Sequence, residues 1–142
     1  MKTIQFFVED INFELKQKKK LRRWLEVIAS THQQEIAQLN FIYCSDNYLL
    51  DINKTYLEHD YFTDIITFDQ REDTATRIEG DIFISIDRVK DNAAQQNTPW
   101  QHEFHRVMAH GLLHLCGFDD KTDVQKQEMR KTEDACLSLL QD

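Results

Sequence analysis

Residues 110–120 read HGLLHLCGFDD, and this short stretch holds two of the chain's three glycines, Gly111 and Gly117. Upstream of and within it, Phe104, Val107, Met108, Leu112 and Leu115 recur at the spacing of one helix face, so the stretch predicts the end of an amphipathic helix. Gly117 marks the stop, because the residue just past a helix commonly takes the left-handed conformation that glycine tolerates. His110 and His114, four apart in that helix, project from one face about one turn, or roughly 6 Å, from each other. A single metal ion needs that spacing.

The turn at Gly117 lets the chain bring a third donor back toward the pair. In the pattern HxxxHxxGxxD this donor is Asp120, and two imidazoles with one carboxylate make a zinc-like set whose fourth tetrahedral position is left to water. An open position implies chemistry rather than scaffolding. The expected cofactor is one Zn2+ per chain, held by His110, His114 and Asp120. Asp119 is the alternative third ligand, but one residue nearer the turn its side chain is expected to point away. It is assigned instead to orienting a ligand or the attacking water. His32, His102, His105 and Cys116 are given structural or solvated roles. Gly111 argues against a peptidase, since in HExxH proteases the residue after the first histidine is the glutamate base. Its absence here is read as open space beside the metal, with close packing of the helix against a neighbour as the alternative.

Working outward, Ile4 to Val8 suits a strand, and a helix follows to about Ser30 with Leu21, Trp24, Leu25 and Ile28 as its core stripe. Leu39 to Tyr43 reads as a second strand. Ser45 is a candidate cap for a helix running to about Glu58. A third strand, Asp64 to Phe68, and a fourth, residues 80–87, flank a polar loop from Asp69 to Glu79, with no helix between them. A helix over Arg88 to Gln96 follows. Thr98, Pro99 and Gln101 then form a restart signal for the histidine helix, and a capping box of Thr122 with Gln125 opens a last helix carrying Met129, Cys136 and Leu140. This order predicts an α+β fold in one domain spanning 1–142, a mixed four-stranded sheet packed with about five helices, one of them a zincin-like metal helix.

Composition limits the rest. A chain of 142 residues, 41% apolar and with four Gly and Pro in all, is enough for one packed core. Neither a signal peptide nor a bilayer-spanning run is visible, so the expectation is a cytoplasmic protein without membrane attachment. Three widely spaced cysteines read as reduced thiols. The net charge of −8 argues against a general nucleic-acid coat, so any RNA contact must be local. The run KQKKKLRR, residues 16–23, holds six of the seventeen basic residues and is the candidate patch, through Lys18, Lys19, Lys20, Arg22 and Arg23; the alternative is the solvated face of the first helix.

HGLLHLCGFDD resembles the HGxLHLxGYDH signature of the YbeY family of bacterial metal-dependent endoribonucleases. NKTYLEHDYFTDIITFD, residues 53–69, and GDIFIS, residues 80–85, resemble two further blocks of that family, and the likeness covers nearly the whole chain. It implies zinc, cleavage of single-stranded RNA, and a role with the small ribosomal subunit in 16S rRNA 3′-end maturation and ribosome quality control. Two departures stand out. Asp120 replaces the family's last signature histidine, adding a negative charge that makes the metal a weaker Lewis acid. Leu57 replaces a family arginine that suits a phosphate contact, and His59, two residues on, partly restores the charge or is an exposed loop residue. The general base is left open among Asp119, His59 and Asp64. The rival reading is a non-catalytic zinc-containing ribosome-assembly factor that binds RNA.

Overall fold

The computed structural model describes residues 3–72 and 77–140. Of the expected loop between the third and fourth strands, residues 73–76 lie outside the described residues, as do the ends of the expected domain at 1–2 and 141–142. The described elements are β1 (Ile4–Val8), α1 (Lys18–Thr31), β2 (Glu35–Cys44), α2 (Asp46–Leu57), β3 (Ile65–Asp69), β4 (Arg77–Ser85), α3 (Ile86–Gln95), α4 (Trp100–Leu115) and α5 (Asp123–Leu139). The sheet runs β1-β2-β4-β3, parallel across the first two pairings and antiparallel between β3 and β4. The fold is therefore the expected α+β arrangement of a four-stranded mixed sheet and five helices.

Alternation along the strands sorts the core into two layers. Ile78, Ile82 and Ile84 of β4 join the larger cluster with residues of α1, α3, α4 and α5, including Leu25, Val89, Met108, Leu112 and Met129. On the other face, Leu49 of α2 packs with Cys44 and Ile66, flanked by Phe68 and Phe83. The histidine helix α4 thus lies on one face of the sheet and α2 on the other. The cysteines are free, and burial pushes the thiols of Cys44, Cys116 and Cys136 up to about 12, 11 and 11.

Caps account for several boundaries. Ser45 Oγ accepts from the Tyr48 amide, Ser85 Oγ from the Arg88 amide, and Thr122 with Gln125 completes a reciprocal capping box. Three expectations are corrected. The second strand extends back to Glu35, because a bulge between Ile36 and Gln38 lets its polar beginning pair with β4. The fourth strand begins at Arg77 rather than residue 80 and yields to a helix already at Ile86, where the Ser85 cap starts α3. Thr98 does not cap α4: Pro99 occupies that position without a side-chain hydrogen bond, and Thr98 Oγ1 is buried with no partner.

Candidate metal centre and cleft

α4 carries a polar row on the side that faces α5. Glu103, Arg106 and His110, spaced by three and four residues, share one side and meet α5. One turn further on, His114 Nε2 lies 3.0 Å from His110 Nε2. Gly117, at φ 108°, then reverses the chain, and Asp120 Oδ2 arrives 3.3 Å from His110 Nε2 and 3.5 Å from His114 Nε2. The Gly117 position has no neighbour within 4 Å of a Cβ, so only its backbone angle calls for glycine.

The donor chemistry of this trio fits a cation. His114 Nδ1 is 2.9 Å from the Phe118 carbonyl oxygen, which only accepts, so Nδ1 carries the proton and a neutral ring turns the lone pair of Nε2 toward the trio. His110 Nδ1 is 2.6 Å from Glu133 Oε2, a carboxylate that fixes the same orientation. The two Nε2 atoms and Asp120 Oδ2 therefore converge as the three atoms free to face a cation. Tetrahedral ligands at roughly 2.0–2.1 Å from zinc lie about 3.3–3.4 Å from one another, close to the three separations found. The group His110, His114 and Asp120 could hold a metal ion.

Glu133 was not foreseen from the sequence, although it sits on the buried stripe of α5 formed by Met129, Thr132, Glu133 and Cys136. A carboxylate on a core-facing stripe was the available signal. Its other oxygen accepts from Arg106 Nη1 at 3.0 Å, and Arg106 Nη2 donates to Asp134 at 3.0 Å. Burial alone would lower the basicity of His110; the paired Glu133, with Asp120 and Asp64 nearby, outweighs it and raises the imidazole above its ordinary value.

The trio opens onto a cleft of about 530 Å³ between α4 and the segment from α2 to β3. His59 and Asp64 both line it, and Asp64 also borders a smaller cavity that His110 and Asp120 share. Burial raises the Asp64 carboxyl, partly offset by His110. Asp119 is exposed and outside the lining, as its place before the returning Asp120 implied. Leu57 also lines the cleft. The basic run contributes nothing to the lining: Lys18, Lys19 and Arg23 are exposed on α1 and Lys20 is half-buried. Arg22 instead donates to the Ile4 carbonyl at 2.8 Å and stacks over Phe6.

Gly111 corrects the idea of open space. A Cβ there would lie 2.9 Å from Ile65 Cδ1 and 3.0 Å from two carbons of Ile82, so this glycine lets α4 sit down on β3 and β4. It still supplies no glutamate where a zinc protease would need one. His105 packs beside Trp24 and Phe104, and His32 against Phe118, in the structural roles expected for them.

The sheet and the trio define a class: an α+β protein that could hold one metal ion on the floor of an open cleft. The sequence model of the family described as Endoribonuclease YbeY matches residues 3–141. The Endoribonuclease YbeY of Cytophaga hutchinsonii is 56% identical over 137 residues, covering 96% of this chain and 95% of its own. That of Bacteroides fragilis is 40% identical over 136 residues, with 96% of each chain covered. The solution structure of a Thermotoga maritima protein, 26% identical, superposes with a TM-score of 0.67 over 96% of this chain and 88% of that one. The chain belongs to the Endoribonuclease YbeY family.

Proposed function

We propose that this chain, as one domain spanning residues 1–142, is a zinc-dependent endoribonuclease that hydrolyses single-stranded RNA. Its substrate in this reading is the 3′ region of 16S ribosomal RNA on the small ribosomal subunit, in rRNA maturation and ribosome quality control in the cytoplasm. The supporting observation is the convergence of three donor atoms, with both outer imidazole nitrogens already committed, in a chain of this family. No described helix is long and apolar enough to cross a membrane.

His110, His114 and Asp120 would hold the ion, and Glu133 and the Phe118 carbonyl would hold the two rings in place. When bound, zinc supplies positive charge for a phosphodiester transition state and acidifies a water molecule toward a pKa of roughly 7. Asp64 is the protein's own proton acceptor in this reading, because it borders both His110 and Asp120 in the cleft. His59, stacked on the exposed Tyr61 in the same cleft, contacts the RNA rather than the reacting water. Asp119, pointing to solvent, is at most a remote influence on the turn. Lys18, Lys19, Lys20 and Arg23 give a secondary electrostatic contact outside the cleft.

Cleavage of a defined single-stranded RNA by highly purified protein tests the proposal, with His114→Ala prepared in parallel. The parent is expected to cleave and the variant to lose activity by at least a hundredfold while remaining folded. Equal cleavage by the two preparations would overturn the reading and identify a contaminant.

A further inference from the structure

The cleft beside the trio has a composition at odds with gripping a polyanion. Its carboxylate and imidazole lining is three aspartates, Asp64, Asp69 and Asp120, and three histidines, with no Lys or Arg among the described lining residues. Arg71 stands next to it but is committed, donating to Asp69 at 2.9 Å and to the Leu115 carbonyl at 2.6 Å. Phosphate contacts alone therefore do not explain how a strand is seated there.

The mouth of the cleft carries a different kind of surface. Tyr61 is 53% exposed, and its ring lies nearly parallel to that of His59, at 27° with centroids 5.1 Å apart. Tyr61 Oη and His59 Nδ1 are 3.0 Å apart and hydrogen-bonded. This pair is mounted firmly from below. The buried Asn53 donates its side-chain amide to the Tyr61 carbonyl at 2.9 Å, and the His59 amide donates to the Asn53 carbonyl at 3.1 Å. Exposed rings held by a buried anchor offer a flat face without the entropy loss of ordering a loose loop. Nucleobases stack on such faces in single-stranded RNA recognition.

A second, smaller cavity of about 300 Å³ meets the first at Asp64, Ile65, His110 and Asp120 and continues past the trio to Arg130. Arg106 on that side is taken up by Glu133 and Asp134, whereas Arg130 is exposed. The two cavities share the trio's side of the cleft and together form one groove, with the exposed Tyr61–His59 pair at one end and, at the other, the exposed Arg130 beside a lining that also holds Glu103 and Glu133.

Resting on the nuclease reading, we infer that the RNA strand lies along this groove with one base stacked on the Tyr61–His59 pair and a phosphate on the far side of the trio held by Arg130. Tyr61 is thus a substrate-positioning residue that grips a base, and Arg130 one that grips the backbone. The two contacts differ in their salt dependence, which makes each separately measurable.

The test is the binding of a fluorescein-labelled single-stranded oligoribonucleotide of twelve residues to the full chain, followed by polarisation in the presence of a chelator so that no turnover occurs. Tyr61→Ala is expected to weaken binding at least fivefold with the salt slope unchanged, and Tyr61→Phe to stay within twofold of the parent. Arg130→Gln is expected to flatten the slope by about 0.7, the value for one phosphate on a single strand. A set of oligonucleotides, each with one abasic position, should contain one that weakens the parent but not Tyr61→Ala. Equal losses in both proteins at every abasic position, or parent-like binding by Tyr61→Ala, would overturn the stacking assignment, and an unchanged slope in Arg130→Gln would overturn the phosphate contact. Only the cleavage comparison with His114→Ala decides the nuclease reading, so the two fail separately.

Discussion

The buried Glu133 carboxylate serves two partners at once, accepting from the Arg106 guanidinium at 3.0 Å and meeting His110 Nδ1 at 2.6 Å. A buried carboxylate is tolerable only when so paired, and removing the charge disturbs both partners. Glu133→Gln is therefore expected to weaken metal binding roughly 10- to 100-fold, the usual penalty for losing a group that orients a ligating histidine. Asp120→Asn should weaken it at least tenfold, whereas Asp119→Ala should bind like the parent. Competition against a chromogenic chelator measures all three, and metal loss in Asp119→Ala alone would move the third ligand by one residue. His110, His114 and Asp120 were legible in the sequence because helical spacing and one glycine suffice to align them. Glu133 was not, because its partner lies 23 residues away and only the docking of α5 on α4 brings the two together.

At the scale of elements, the seat of α4 on the sheet depends on the missing side chain at Gly111. Adding one methyl there meets Ile82, which is fully buried, and Ile65 in the strand that leads out of the cleft. Gly111→Ala is expected to destabilise the fold by about 1–3 kcal/mol, since overpacking outweighs the helix-propensity gain of about 0.5–1 kcal/mol. Ile82→Val in the same chain should recover part of that loss. Urea unfolding of the two variants against the parent checks it; a more stable Gly111→Ala would show that the strands yield freely. The helix itself was readable from periodicity, but this close approach was not, because it depends on which strands lie underneath. The same holds for Thr98: its sequence neighbourhood suits a cap, yet the Pro99 backbone takes that position and leaves the hydroxyl buried and unpaired. Capping by Ser45 and Thr122, which needs only neighbouring residues, was foreseen correctly.

At the scale of the whole molecule, α1 and α4 close over His105, whose pKa is lowered to about 4, chiefly by burial and further by His102 and Lys20. The ring is neutral in the folded chain and binds a proton more readily once unfolded. Above the unfolded value near 6.5 it imposes no penalty; as pH falls from there toward 4, the unfolded state gains protons first and stability declines. This residue should remove roughly 1–3 kcal/mol across that window, and His105→Phe should abolish its share of the decline. Thermal or urea unfolding at pH 7, 5.5 and 4.5 measures the difference between parent and variant, and a difference independent of pH would refute the assignment. The order of the chain adds a consequence in time. A ribosome adding roughly 5–20 residues per second needs about one to five seconds to synthesise the 23 residues between His110 and Glu133. For most of that interval the nascent chain has both histidines but lacks the carboxylate that seats one of them, so the trio gains its full support only once α5 emerges and docks on α4.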